Sequence, residues 1–391
     1  MKIAFKMWII SILLIVFATG CSYNSSSSFI QSLLFESEAN DTEEIIYPDS
    51  IEMEIEHSFP FSILAKVEIP KKKEYKVVEV KKCQLDKDTV IRLMEYFAGS
   101  SNWKDATGKD FSYKDSTFEA FQEADGSKAV FRVTQDDIFE YIKNNQVVVM
   151  REEYLDGYPE LAADFSIEPN IDYTQALEIA NKTIEDLDYY IDKNIILCYG
   201  TKAIGYIGDD PITYGWEFVY TRNCNGLQVP YRSEYDLWTN SNPPVASAPW
   251  EKECLFIFIN ENGLYRIDAR GLGRESENYD ACINLLPFEE LIPSIVSQIK
   301  LQHPGKDYID NTDNWRIEIK SIKLCSTLLN NVSSSVGYMI PTWEVEYTLE
   351  YSIEGEQDVF TQYTYFNAIN GTYVEPRMTV HDVRRAYGLD D

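Results

Sequence analysis

The feature that most constrains the fold is a pattern that occurs twice in the second half of the chain. The segments "YGWEFVYTR", 214–222, and "IPTWEVEYTLEY", 340–351, both place a Trp-Glu pair inside an apolar, strand-like run. An Asn-Gly pair follows each segment, at 262–263 and at 370–371. Asn-Gly accommodates the positive backbone angles of a tight turn, so each copy predicts a strand followed by a β-hairpin.

The two copies differ by one insertion. The first copy is longer between Trp216 and Asn262 than the second copy is between Trp343 and Asn370, and the difference equals the length of the segment 232–250. That segment is rich in Ser, Asn and Pro, which is typical of a loop. We therefore interpret 232–250 as a loop inserted into the first copy.

A helix is predicted before each copy. Asp172 is a good N-cap residue, and the apolar residues after it recur on one helical face. The second stretch, 286–302, contains Pro293, which a continuous helix disfavours in its interior. That position predicts a short turn and then a helix that begins at Pro293. A helix followed by antiparallel strands, repeated twice, is an α+β arrangement.

The order of helix, Trp-Glu strand and Asn-Gly hairpin resembles PepSY-type modules, and "YTYFNAINGTYVEP", 363–376, is the segment most similar to them. With the cysteine-containing segment "FATGCS", 17–22, the serine-rich segment 21–44, a divergent N-terminal domain and these two copies, the whole chain resembles a family of uncharacterised lipoproteins of Gram-positive bacteria. More loosely, it resembles the YycH and YycI regulators of a sensor kinase. The resemblance implies two helix-plus-antiparallel-sheet modules and supplies no catalytic residues. We therefore expect an α+β fold, with an N-terminal α+β domain at 45–170, a first module at 171–280 and a second module at 281–391.

The segment 1–20 carries a targeting signal. Lys2 and Lys6 precede the apolar run "MWIISILLIVFA", which is short for a membrane span and has the length of a signal-peptide core. The run ends in "FATGCS", which resembles a bacterial lipobox with Cys21 as the acylated residue, although Ala18 stands where such signals usually carry Leu. Ordinary signal-peptidase cleavage and release of the chain is the alternative. Both readings place the mature chain outside the cytoplasm.

The segment 21–44 is predicted to be a flexible tether. It is rich in serine, then acidic, and it lacks the periodicity that would bury one face. The expected membrane contact is therefore the lipid on Cys21, which would hold the folded part at the extracytoplasmic face of the membrane.

The charge of the chain excludes one class of partner. The formal net charge is −29, whereas nucleic-acid binding requires a basic patch that neutralises phosphates. An acidic body suits a basic partner in the envelope, or simply a well-solvated surface. The cysteines after Cys21 are scattered along the chain, which leaves both disulfides and buried thiols open.

The sequence predicts no catalytic residue, no metal site and no cofactor. Histidine occurs only at His57, His303 and His381, without the spacing of a zinc site. The chain also lacks a P-loop, a GxSxG elbow and a GxGxxG motif.

Aromatic residues around the inserted loop are the candidate ligand or partner contacts. They are Tyr231, Tyr235, Trp238 and Trp250. Such side chains can stack on a peptide or a glycan, and the alternative is that they fill the faces of a sheet. The expected function is a non-catalytic interaction or regulatory module for an envelope protein, and the alternative is a peptide- or glycan-binding lipoprotein that uses the inserted loop.

Overall fold

The structure is a computed structural model of the chain. It describes residues 47–374 apart from the segments 71–73, 99–102, 105–117, 125–126, 134–137, 156–157, 232–252, 304–311, 331–334 and 354–355. The described residues belong to one compact unit. No helix in these residues combines the length and the apolar character needed to cross a membrane.

Two large β-sheets form most of this unit. The C-terminal sheet has the strand order β1-β2-β14-β15-β16-β17, with β3 pairing with both β13 and β15. Its strands are β1 (Ser50–Ile55), β2 (Phe61–Glu68), β3 (Tyr75–Lys82), β13 (Gly273–Ile283), β14 (Thr312–Asn330), β15 (Val336–Ile353), β16 (Glu356–Asn367) and β17 (Tyr373–Val374).

The central sheet has the strand order β4-β5-β6-β12-β11-β9-β8-β7, and the short β10 pairs with β9. Its strands are β4 (Phe118–Ala124), β5 (Ser127–Val133), β6 (Phe139–Ile142), β7 (Val148–Arg151), β8 (Ile195–Ile207), β9 (Asp210–Cys224), β10 (Leu227–Gln228), β11 (Cys254–Asn260) and β12 (Gly263–Arg270).

The predicted fold class is wrong. The chain is mostly β-sheet, with two large sheets of which one is curled into a half-barrel, and it does not form an N-terminal α+β domain followed by PepSY-like modules. The N-terminal strands are divided between the sheets: β1 to β3 join the C-terminal sheet, and β4 to β7 join the central sheet. The parallel pairing of β2 with β14, which places Phe61 beside Ile317, completes the C-terminal sheet with strands far apart in sequence.

The helices cover one face of each sheet. They are α1 (Lys87–Ala98), α2 (Ala162–Phe165), α3 (Tyr173–Asp186) and α4 (Phe288–Gln302), together with 3₁₀ turns at Glu152–Tyr154 and Pro159–Leu161. The predicted cap of α3 is confirmed, because Asp172 Oδ1 accepts a hydrogen bond from the Gln175 backbone N–H at 2.9 Å. Helices α1 and α3 pack on the central sheet, and α4 packs on the C-terminal sheet.

The predicted start of α4 at Pro293 is wrong, because the helix runs through that proline. Phe288, Leu291, Ile295 and Ile299 are all buried against the C-terminal sheet. Burying a side chain of this kind stabilises a fold by about 1.5–3 kcal/mol, so the buried face outweighs the backbone hydrogen bond that Pro293 cannot donate.

Both predicted Asn-Gly turns are confirmed. The first connects β11 to β12, with Asn260 paired to Gly263, and the second lies between β16 and β17. Gly263 has φ 87° and Gly371 has φ 71°, so in each turn the glycine adopts the left-handed backbone that a side chain disfavours.

The polar side chains of interest lie on the faces of the sheets that the helices leave free. In β12, Ile267 and Ala269 belong to the core beneath α1 and α3, and strand alternation places Arg266, Asp268 and Arg270 on the opposite face. The two sheets meet through an apolar cluster of Val78, Val80, Met339, Cys224 and Val229. Two pockets lie on the side of the central sheet that faces away from its helices.

Candidate functional site

The larger pocket, here called the tyrosine pocket, is lined by residues from both sheets. It has a volume of about 440 Å³ and is lined by Tyr199 of β8, by Tyr231 after β10 and by Tyr363 of β16. Glu153, Gln228 and Lys323 add polar and charged groups to the lining. The pocket therefore combines aromatic faces with groups that donate and accept hydrogen bonds.

Neighbouring side chains hold two of these tyrosines in place. Tyr199 Oη donates to Glu153 Oε1 at 3.0 Å, and burial raises the pKa of Tyr199 well above its ordinary value, so this hydroxyl keeps its proton. Tyr231 packs edge-to-face on Phe256 with a centroid distance of 5.3 Å, and its Oη accepts a hydrogen bond from Arg151 Nη2 at 2.9 Å. Both rings are thus oriented before any ligand is present.

The structure describes one of the four aromatic residues that the sequence singled out. Tyr231 is 4% exposed and contributes to the wall of the tyrosine pocket. Tyr235, Trp238 and Trp250 lie outside the described residues, as does the proposed lipid attachment residue Cys21. The contact role of these aromatic residues stays a prediction.

A smaller pocket, here called the arginine pocket, lies on the face of the central sheet opposite α1 and α3. It has a volume of about 250 Å³, and Arg151 of β7 together with Arg266 and Arg270 of β12 line it. Glu217 of β9 and Phe256 of β11 complete its charged and aromatic wall. The sequence reasoning missed these residues, although the alternation in "RIDAR", 266–270, is a signal of a charged sheet face.

Asp268 holds the two arginines of β12. Its Oδ2 accepts from Arg266 Nη2 at 2.8 Å and from Arg270 Nη2 at 2.7 Å. Burial alone would raise the pKa of Asp268, but the charges of Arg270 and Arg266 outweigh burial and hold it below its ordinary value. Asp268 therefore stays ionised, and both guanidinium groups keep a fixed position.

Arg151 lines the arginine pocket and contacts residues that line the tyrosine pocket. Its Nε lies 2.9 Å from Glu153 Oε1, which lines the tyrosine pocket, and 3.6 Å from Glu217 Oε2, which lines the arginine pocket. Since its Nη2 also donates to Tyr231, one side chain fixes the walls of both pockets.

A second buried arginine lies in a closed cluster. Arg222 is fully buried, and its Nε and Nη2 each donate to one oxygen of Glu253 at 2.7 Å. Arg222 also donates to Asp192 Oδ2 at 3.2 Å and to the Gly273 carbonyl. Arg222 lines neither of the two pockets, so we interpret this cluster as structural.

The described residues offer binding groups more clearly than reactive ones. Among them, no group of three or more His, Cys, Asp and Glu side chains is placed to hold a metal ion. The six described cysteines are not joined in disulfide bonds, and Cys198 and Cys325 both line the tyrosine pocket. What the two pockets share is a set of oriented hydrogen-bonding, charged and aromatic groups.

Comparison with known proteins does not identify a family. No protein family and no curated protein matches the chain. Among solved structures, an uncharacterized protein from Eubacterium rectale ATCC 33656 matches with 16% sequence identity and a TM-score of 0.46, over 84% of this chain and 94% of that one. This similarity is too low to assign a shared fold or activity.

Proposed function

We propose that this chain is a lipid-anchored, extracytoplasmic binding protein that takes a peptide or glycan in the tyrosine pocket. The pocket carries the proposal, because its volume of about 440 Å³ falls within the range of about 300–1,000 Å³ that is usual for small-ligand sites. The anchor at Cys21 and the tether 21–44 are inferred from the sequence and would hold this pocket close to the membrane surface.

The lining suits a ligand with both apolar and polar faces. Tyrosine rings stack on the apolar faces of sugar rings or on peptide side chains, while their hydroxyl groups keep a polar partner. Lys323 contributes an ammonium donor, and Gln228 contributes an amide. Because Tyr199 and Tyr231 are already held by hydrogen bonds, ordering them on binding costs little entropy.

The test is direct binding to two probe sets, a mixture of short peptides and a mixture of soluble envelope glycan fragments. Saturation-transfer NMR identifies the fragments that bind, and calorimetry gives their affinity. We expect Tyr363→Ala to weaken the selected ligand about tenfold, which corresponds to about 1.4 kcal/mol. Tyr96→Ala is the matched control, because Tyr96 is an exposed tyrosine of α1 outside the pocket. Unchanged affinity in Tyr363→Ala would remove the pocket as the site.

A protein partner is a second candidate, and the edge strand β16 favours it. Among the described residues, β16 pairs with β15 over its whole length but with β17 only at Tyr365 and Phe366. Val359 and Phe360, in the part without a second neighbour, are 56% and 44% exposed. An open edge with apolar side chains can accept a strand from another protein.

Site-specific photo-crosslinking on intact cells tests this second candidate. A crosslinker at Val359 should capture one defined envelope protein. The same group at Leu64, which is also exposed but lies on β2, serves as the control. Equal capture from both positions would show that β16 is not a specific interface.

A further inference from the structure

We propose that the arginine pocket is a binding site for a small oxyanion, either a phosphate or a carboxylate group. The site is distinct from the tyrosine pocket, and the inference does not depend on the proposed function. It rests on three guanidinium groups that converge on one cavity of about 250 Å³.

Two of these groups lie over one aromatic ring. Cζ of Arg151 is 5.0 Å from the Phe256 ring centroid, and Cζ of Arg270 is 5.2 Å from it. The face of an aromatic ring attracts a cation, so Phe256 helps to hold both guanidinium groups at the pocket. Each guanidinium group carries a planar array of donors, which suits the oxygens of a phosphate or a carboxylate.

The carboxylates that neutralise the arginines lie outside the described lining of the pocket. Asp268 and Glu140 bind Arg266, and Glu153 binds Arg151, yet none of the three is among the lining residues. The described wall thus presents three guanidinium groups and the one carboxylate of Glu217, while the carboxylates behind the wall compensate part of the positive charge.

Glu217 fixes where the anion can lie. Its Oε2 is 3.6 Å from Arg151 Nε, and its Oε1 is 3.8 Å from Arg266 Nη1. An anion would avoid this carboxylate, so the remaining position is on the Arg270 side of the pocket, above Phe256. A ligand that also carries an ammonium group could place that group beside Glu217.

The dimensions of the pocket limit the ligand to a small group. A volume of about 250 Å³ lies just below the usual range of about 300–1,000 Å³ for small-ligand sites. Val148 and Tyr158 line the same pocket and are 61% and 43% exposed, so the cavity is accessible from solvent. A free anion or the charged end of a larger molecule can therefore enter.

The test measures binding of inorganic phosphate and of glutamate to the full chain by calorimetry, at constant ionic strength set with chloride. We expect saturable binding of at least one of them. The preferred anion shows whether the site takes a phosphate group or a carboxylate group. Arg270→Gln should weaken that binding at least tenfold, because it removes one of the two guanidinium groups over Phe256 while Arg266 still neutralises Asp268. Arg316→Gln is the matched control, since it removes a half-exposed arginine that is paired to Glu318 outside the pocket, and it should leave the affinity unchanged.

Two results would overturn the proposal. One is the absence of saturable binding of either anion to the wild-type chain, and the other is an unchanged affinity in Arg270→Gln. If Arg270→Gln does not fold, Arg270→Lys keeps the charge beside Asp268 but loses the planar fork, and a severalfold weakening is then expected. Peptide or glycan binding that survives Arg270→Gln would leave the tyrosine pocket proposal standing on its own.

Discussion

The buried arginines Arg222 and Arg151 have different surroundings. Arg222 is enclosed on all sides: Glu253 accepts from two of its nitrogens, and Asp192 and Gly273 accept the other bonds. Arg151, in contrast, is almost as deeply buried, yet it lines a cavity. The ion pair of Arg222 therefore only holds two segments together, whereas Arg151 is also placed to contact a ligand.

The closed cluster has a clear structural role. Arg222 lies near the end of β9, Glu253 precedes β11, and Gly273 opens β13 of the other sheet. The Gly273 backbone N–H also donates to Glu253 Oε1 at 2.8 Å. The bidentate pair thus links the central sheet to the first residue of a strand in the C-terminal sheet. Buried pairs stabilise a fold only when both partners keep their hydrogen bonds, and here they do.

Replacement of Arg222 should give the largest loss of stability. Arg222→Met leaves the Glu253 carboxylate buried without its cation, and such changes cost about 3–5 kcal/mol. Urea unfolding of the purified chain, monitored by circular dichroism, measures the change. The double variant Arg222→Met with Glu253→Leu is the control and should recover most of the loss. A single-variant loss below about 1 kcal/mol would contradict the assignment of this pair as structural.

The corresponding change at Arg151, in the arginine pocket, should cost less stability. Arg151→Met removes the cation nearest to Glu217, but water in the arginine pocket can solvate the remaining carboxylate. We expect a loss of about 1–3 kcal/mol, the range for a buried polar group left without its partner. The same urea experiment compares Arg151→Met with Arg222→Met. Equal losses would mean that the pocket does not change the energetics of its arginines.

Loss of the hydrogen bond between Arg151 and Tyr231 should reduce stability by a smaller amount. Tyr231→Phe removes the hydroxyl that accepts from Arg151 Nη2 at 2.9 Å and retains the ring that packs on Phe256. A hydrogen bond to a charged group contributes about 1.5–3 kcal/mol, and Arg151 keeps its other partners, so we expect a loss at or below the lower end. Thermal unfolding measures it, with Tyr96→Phe as the control. A loss as large as that of Arg151→Met would show that Tyr231 has a further role in the fold.

The features that the sequence predicted correctly depend only on residues close together in the sequence. The Asp172 cap and the two Asn-Gly turns are local, because a few residues contain all the chemistry that they need. The pairing of β2 with β14 was missed, because no short segment records which distant strand will lie beside it. The error at Pro293 has the same origin, since burial of the helix against the C-terminal sheet decides it.

The glutamates of the repeated Trp-Glu pair are a sequence signal for buried polar clusters. Trp216 and Trp343 served to align the two copies, but the glutamates beside them are the unusual residues in strands this apolar. Glu217 and Glu344 are 2% and 3% exposed, and a buried carboxylate requires partners. Glu217 has Arg151 and Arg266 close by, and Glu344 accepts from Tyr365 Oη at 2.9 Å. Buried acids in both copies pointed to polar clusters, although the sequence could not name the partners.

The pH dependence of the closed cluster gives the smallest expected effect. Burial alone would raise the pKa of Asp192, but Arg222 and two backbone N–H groups outweigh it, so the pKa lies below its ordinary value of 3.8. A carboxyl whose pKa is lower in the folded state contributes stability that is complete above the ordinary value and is lost as pH falls through the folded value.

Asp192→Asn should therefore cost about 1 kcal/mol at pH 7, because Arg222 keeps both bonds to Glu253, and the difference from the wild type should shrink below pH 4. Thermal unfolding at several pH values between 2 and 7 measures this difference. Asp209→Asn, in the exposed turn between β8 and β9, is the control and should follow the wild type throughout. A difference that stays constant down to pH 2 would mean that Asp192 stabilises the cluster through its shape and not through its charge. The charge interactions that hold Arg222 would then be those with Glu253 and with Glu275, whose Oε1 lies 3.6 Å from Arg222 Nη1.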